Sequence, residues 1–140
     1  MFYCRLRLGT ILVVQSLKPP IDIRDELSLA FRVRILDCDG LRVMSAFQYP
    51  NYLYLTSWGH VTRMGLLKIS IRKKWAPVIG SYKFIFRKPL KRWSTFNVRI
   101  CFAGWDDTWF YQQVLFEQNQ NVKAMAFTKL AIWKNNHTLA

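Results

Sequence analysis

The sequence predicts an α+β fold in which one antiparallel β-sheet wraps around one long central α-helix. Three observations carry that prediction. The chain has 140 residues, about one domain's worth. A single long, aromatic-rich stretch from Ser45 to Gly65 is spaced for a helix. The segments around it alternate apolar and polar residues with the period of two that a half-buried strand requires.

Residues 1–20 read as an amphipathic N-terminal segment. Its apolar run from Leu8 to Val14 follows a basic Arg5-Leu6-Arg7 but is far shorter than the roughly 20 residues that cross a bilayer. No small-residue cleavage pattern precedes Lys18-Pro19-Pro20, so a removed signal is not expected. The segment is instead expected to dock on a surface, with peripheral membrane contact and an otherwise cytoplasmic location.

Residues 21–134 form one domain. After a polar connector, Leu27, Leu29, Phe31, Val33 and Ile35 alternate with Ser28, Ala30, Arg32 and Arg34, and Asp37-Cys38-Asp39-Gly40 ends that strand. In the helical stretch Pro50 fits only the first turn, where its missing N–H has no helical partner to lose, so the regular helix starts near Tyr49. Gly65 is the expected stop. Thr56, Ser57 and Gly59 are small enough to let another backbone approach.

Strands follow at Leu67–Arg72, Tyr82–Arg87, Phe96–Phe102, Phe110–Glu117 and Val122–Trp133. Pro77, Gly80, Pro89, Gly104-Trp105-Asp106-Asp107 and Asn119-Gln120-Asn121 supply the turns. Residues 135–140 form a polar C-terminal tail.

Composition narrows the function. Apolar residues make up 51% of the chain and aromatic residues 16%, which excludes a disordered or collagen-like chain. Lys and Arg number 21 against 8 Asp and Glu, a net charge of +13, so an anionic partner is favoured. Cys4, Cys38 and Cys101 show no C-x-x-C spacing and no His at ligand distance, so neither a disulfide framework nor a zinc site is expected, and no metal or cofactor is implied. No nucleic-acid motif accompanies the charge, and strand alternation already accounts for many of the aromatics, so nucleic acid is not the expected partner.

Two segments carry a family pattern. The first reads Asp37-Cys38-Asp39-Gly40-Leu41-Arg42-Val43-Met44-Ser45-Ala46-Phe47-Gln48-Tyr49, with Arg63-Met64-Gly65-Leu66 at the helix end. The second reads Phe84-Ile85-Phe86-Arg87-Lys88-Pro89-Leu90, then Gly104-Trp105-Asp106-Asp107-Thr108-Trp109-Phe110-Tyr111. Together they resemble the hotdog-fold acyl-CoA thioesterases, in particular the group related to 4-hydroxybenzoyl-CoA thioesterase. The resemblance runs from about residue 27 to 133, and its Gly-Trp-Asp-x-x-Trp-Phe-Tyr part is the most specific. It implies a hotdog fold, an acyl-CoA substrate and a homodimer or dimer of dimers.

Thioester hydrolysis needs a nucleophile or an activated water, and donors for the oxyanion that develops. Asp39 matches the family's catalytic carboxylate. The N–H groups from Met44 to Phe47, at the positive end of the helix dipole, are the expected polarising donors. Val43, Met44, Ser45 and Tyr49 are the expected contacts to the thioester, with Ser45 also a natural N-cap. Coenzyme A carries phosphates, so the basic Arg87 and Lys88 are expected at the pocket mouth. Phe47, Trp58, Phe84 and Met125 are the apolar side chains available to line an acyl tunnel.

The chain departs from the family pattern where Arg42-Val43 replaces a usual Gly-His and Ser45-Ala46 a usual Asn-Asn. Two readings stay open: an acyl-CoA thioesterase, or a non-catalytic hotdog module that binds acyl-CoA or an acyl carrier protein.

Overall fold

A computed structural model describes residues 2–18, 25–40, 42–134 and 137–138. Most of the polar connector expected before the first strand and most of the C-terminal tail lie outside the described residues. The alternating segments become β1 (Leu27–Arg32), β2 (Ala76–Phe86), β3 (Thr95–Trp105), β4 (Phe110–Gln118) and β5 (Asn121–Lys134). They pair antiparallel in the order β1-β3-β4-β5-β2, and a two-residue β6 (His137–Thr138) adds to β5. Asn119 and Gln120 both take positive φ, the backbone a tight two-residue hairpin needs to match the twist of β4 and β5.

Helix α2 (Tyr49–Arg63) packs against β3 and β1. The core forms because alternate residues of the central strands point one way: Val98 and Ile100, Val114 and Phe116, Ala124 and Ala126 are all fully buried. From α2, Tyr49, Tyr52, Leu53 and Leu55 meet them. The Tyr52 ring stands edge-on to Phe31 at 5.0 Å and to Phe96 at 5.1 Å. Each such buried side chain contributes about 1.5–3 kcal/mol of apolar burial.

The N-terminal segment is also helical, α1 (Phe2–Leu17), and it lies along α2. A Cβ on Gly59 would stand 3.1 Å from Ile11 and 3.3 Å from Leu29, so this glycine is what lets α1 and β1 close on the helix. The Arg7 guanidinium sits over the Phe31 and Tyr52 rings at 5.3 and 5.0 Å.

Two expectations are corrected. The segment read as a strand at Leu67–Arg72 is a helix, α3 (Leu66–Lys73). Gly65, at φ 78°, turns the chain directly from α2 into it, and two of the apolar residues that mimicked a strand are exposed, Ile69 at 40% and Ile71 at 71%. Pro77 and Gly80, read as turns, lie inside β2, which is an edge strand paired only with β5. An edge tolerates proline because the missing N–H removes no ladder bond. At Gly80 the register shifts, and a Cβ there would come within 2.3 Å of the Trp109 ring.

Candidate active site

Between β1 and α2 the chain makes a tight loop whose geometry rests on Asp37. This carboxylate is buried, and its Oδ2 accepts from the Arg34 N–H at 3.0 Å and from the Tyr52 hydroxyl. Its backbone carbonyl accepts from the Ser45 N–H at 2.8 Å. One residue therefore ties both ends of the loop to α2. Burial first, and then the Asp37 carboxylate beside it, push the Tyr52 hydroxyl up to about 12, so it remains a donor.

Asp39 sits at the exposed tip. Its N–H donates to the Val43 carbonyl at 3.2 Å, and its own carbonyl accepts from Arg42 at the same distance. Arg42 adopts a left-handed conformation, φ 61°, where the family pattern has glycine. Val43 bridges to Lys91, and Met44 bridges to Cys38 while its N–H donates to the Leu90 carbonyl at 2.8 Å. This loop segment is thus a short ladder held against residues 90 and 91.

Met44, Tyr49, Arg87 and Lys88 meet in one cleft of about 250 Å³, together with Ala46, Phe86 and Pro89. Tyr49 is nearly fully buried there, its ring edge-on to Phe86 at 4.9 Å and to Phe116 at 5.1 Å. Burial pushes its hydroxyl pKa up, with the Leu90 backbone partly offsetting this. The N–H groups of Arg87 and Lys88 both donate to the Lys123 carbonyl, at 2.9 and 3.0 Å, which leaves their side chains exposed at the rim. Asp39 and Val43 do not line this cleft; they lie on the loop that closes it next to Met44.

Ser45 is the N-cap of the turn Ala46–Gln48 that leads into α2, and its Oγ accepts from the Phe47 N–H at 3.3 Å. With Met44 and Ser45 donating elsewhere, three of the four expected polarising N–H groups are engaged within the chain. Of the residues expected along an acyl tunnel, Trp58 lines a second cavity, Phe84 packs against the core, and Phe47 is 87% exposed.

Sequence reasoning passed over Asp37 as an ordinary turn residue. The signal was its partner: a tyrosine at the core-facing position 52 needs an acceptor. The Gly-Trp-Asp-x-x-Trp-Phe-Tyr segment turns out to be a hairpin device. Asp106 accepts from the N–H groups of Thr108 and Trp109 at 2.9 and 2.7 Å and from the Tyr111 hydroxyl at 2.6 Å. That hydroxyl, with the two N–H groups, holds the Asp106 carboxyl below its ordinary range. Among the described residues no group of His, Cys, Asp and Glu is placed to hold a metal ion.

The model of the thioesterase-like superfamily matches residues 33–138. The chain belongs to that superfamily. Among curated proteins it is 27% identical over 110 residues to Protein THEM6 of Xenopus laevis, covering 77% of this chain and 53% of that protein. It therefore spans about half the length of that relative. Solved thioesterases share the fold. The gentisyl-coenzyme A thioesterase BH1999 superposes with a TM-score of 0.69 at 20% identity, over 76% of this chain and 88% of that one. The probable thioesterase YbaW of Escherichia coli gives 0.76 at 14% identity, over 81% and 89%. The hotdog fold is thus common to all of them, and the helix wrapped by the sheet is its α2. The matched region leaves out all of α1.

Proposed function

We propose that this protein hydrolyses the thioester of an acyl-CoA to the free acid and CoA, with Asp39 as nucleophile or general base. The supporting observation is the convergence of Met44, Tyr49, Arg87 and Lys88 in one cleft beside the Asp39 loop. As nucleophile, an Asp39 oxygen adds to the carbonyl carbon, the C–S bond breaks with its electron pair on the CoA sulfur, and water then cleaves the Asp39–acyl anhydride, its hydroxyl going to the acid and a proton to the thiolate, so that Asp39 is returned. As base, Asp39 takes a proton from the water that adds to the carbonyl and passes it to the CoA sulfur as the C–S bond breaks. Ala46 and the positive end of α2 polarise the carbonyl, Ser45 and Val43 flank it, and Arg87 and Lys88 meet the CoA phosphates. The test is thiol release from short, long and aromatic acyl-CoAs. Asp39→Asn is expected to lower it at least about 100-fold with the fold intact. Unchanged turnover removes Asp39 from this role.

The engaged N–H groups of Met44, Ser45 and Phe47 favour a second reading, a non-catalytic module that binds acyl-CoA or an acyl carrier protein. Saturable acyl-CoA binding with no thiol release identifies it.

The assembly we propose is a homodimer, or a dimer of such dimers. It is supported by β2, an eleven-residue edge strand with Ile79, Tyr82, Ile85 and Phe86 exposed. Peripheral membrane contact through α1 is supported by Leu6, Val13, Val14 and Leu17, all exposed on it. No helix among the described residues is long and apolar enough to cross a membrane. Co-sedimentation with anionic vesicles that Val13→Glu weakens is the expected result; equal sedimentation of both proteins rejects the contact.

A further inference from the structure

A second set of cavities lies along the C-terminal half of α2. Two apolar cavities, of about 360 and 170 Å³, adjoin there and share Val61, Pro77, Gln112 and Leu130. Trp58 and Ser57 line the larger one.

Two of the polar side chains that interrupt these apolar walls carry a buried oxygen without a partner. Gln112 is only 3% exposed, and neither its Oε1 nor the Oγ of Ser57 has a hydrogen-bond partner among the described residues. Gln112 lies on the inward face of β4, two residues from Val114 and four from Phe116, where burial selects for apolar side chains. An unpaired amide oxygen is costly in such surroundings, and a buried polar group without a partner calls for an explanation. Rotation about its last side-chain bond lets the amide turn either a donor or an acceptor toward the cavity, and the Ser57 hydroxyl can do both.

We infer that this cavity takes the distal end of the acyl group and that Gln112, with Ser57, selects an acyl chain carrying a hydroxyl over a plain hydrocarbon one. That the ligand is an acyl group rests on the thioesterase reading; that it carries a polar group rests on the cavity itself. The dimensions agree. Tyr49 lines the cleft at the start of α2 and Trp58 the cavity nine residues on, a rise of roughly 14 Å, the reach of a medium-length chain. The carboxyl end would then lie beside Ala46 at the start of α2 and the hydroxyl beside Gln112.

Calorimetric titration of the full chain with decanoate and ω-hydroxydecanoate tests this without any turnover. The wild type is expected to bind the hydroxylated acid about ten-fold more tightly, the scale of one satisfied buried hydrogen bond. Gln112→Leu is expected to reverse that preference by strengthening decanoate binding, and Ser57→Ala to reduce it a few-fold. Equal affinities in the wild type, a preference that survives Gln112→Leu, or no binding of either acid overturns the inference; a bound water alone would satisfy Gln112 in those cases. Absence of thiol release alongside a Gln112-dependent preference would instead discard the hydrolase reading and keep this one.

Discussion

Asp37 and Asp39 stand two positions apart on one loop and differ in everything that matters to their roles. Asp37 is buried and accepts from Arg34 and Tyr52, whereas Asp39 is exposed at the tip. Burial separates the two, because a buried carboxylate must have its lone pairs satisfied by neighbouring groups, while an exposed one is reached by solvent. Asp37→Ala is expected to cost about 2–3 kcal/mol in urea unfolding, since it leaves the Tyr52 hydroxyl and the Arg34 N–H without their acceptor. Asp39→Ala in the same assay is expected to fall within about 0.5 kcal/mol of the wild type. A similar loss from both would mean that Asp39 also holds the loop. The sequence showed both carboxylates in the family pattern, but their spacing carries no information about which of them points inward.

At the scale of elements, β2 carries the largest departure from the sequence reading and the clearest consequence. Its proline and glycine broke the local signal, yet both are accommodated because the strand lies at an edge and because Gly80 gives the Trp109 ring room. Edge position is a property of the sheet order, which no local pattern contains. A long edge with exposed apolar side chains is a template for pairing with another strand. Ile85→Lys, which puts a charge on that strand, is expected to convert a dimer into a monomer in light scattering. A wild type that already scatters as a monomer rejects the edge as the interface. α3 shows the opposite failure. Leu67, Ile69 and Ile71 fit a strand locally, and only the left-handed turn at Gly65 decided for a helix. By contrast α2 was legible to within a residue or two, because Pro50 marks a first turn and Gly65 a stop.

Across the whole molecule, α2 is tied to the segment that enters β1 by a buried polar group. His60 is fully buried, and its Nε2 meets the Asp25 carbonyl at 3.3 Å. Burial lowers its pKa below the ordinary value of 6.5. The folded state therefore resists a proton that the unfolded chain accepts, so stability is complete above that value and is lost as pH falls through and below it. The thermal midpoint is expected to drop between about pH 7 and pH 5, and less steeply in His60→Gln. Equal slopes would place the loss on another group than His60. The sequence by itself determined the fold class, the extent of α2, four of the five long strands and the loop bearing Asp39, because periodicity and turn chemistry are local properties. Only the tertiary structure decided which side chains share a cleft, which N–H groups are already engaged and where the unpaired Oε1 of Gln112 faces apolar walls. Those facts depend on residues far apart in the chain being packed together, and packing is not written in any one segment.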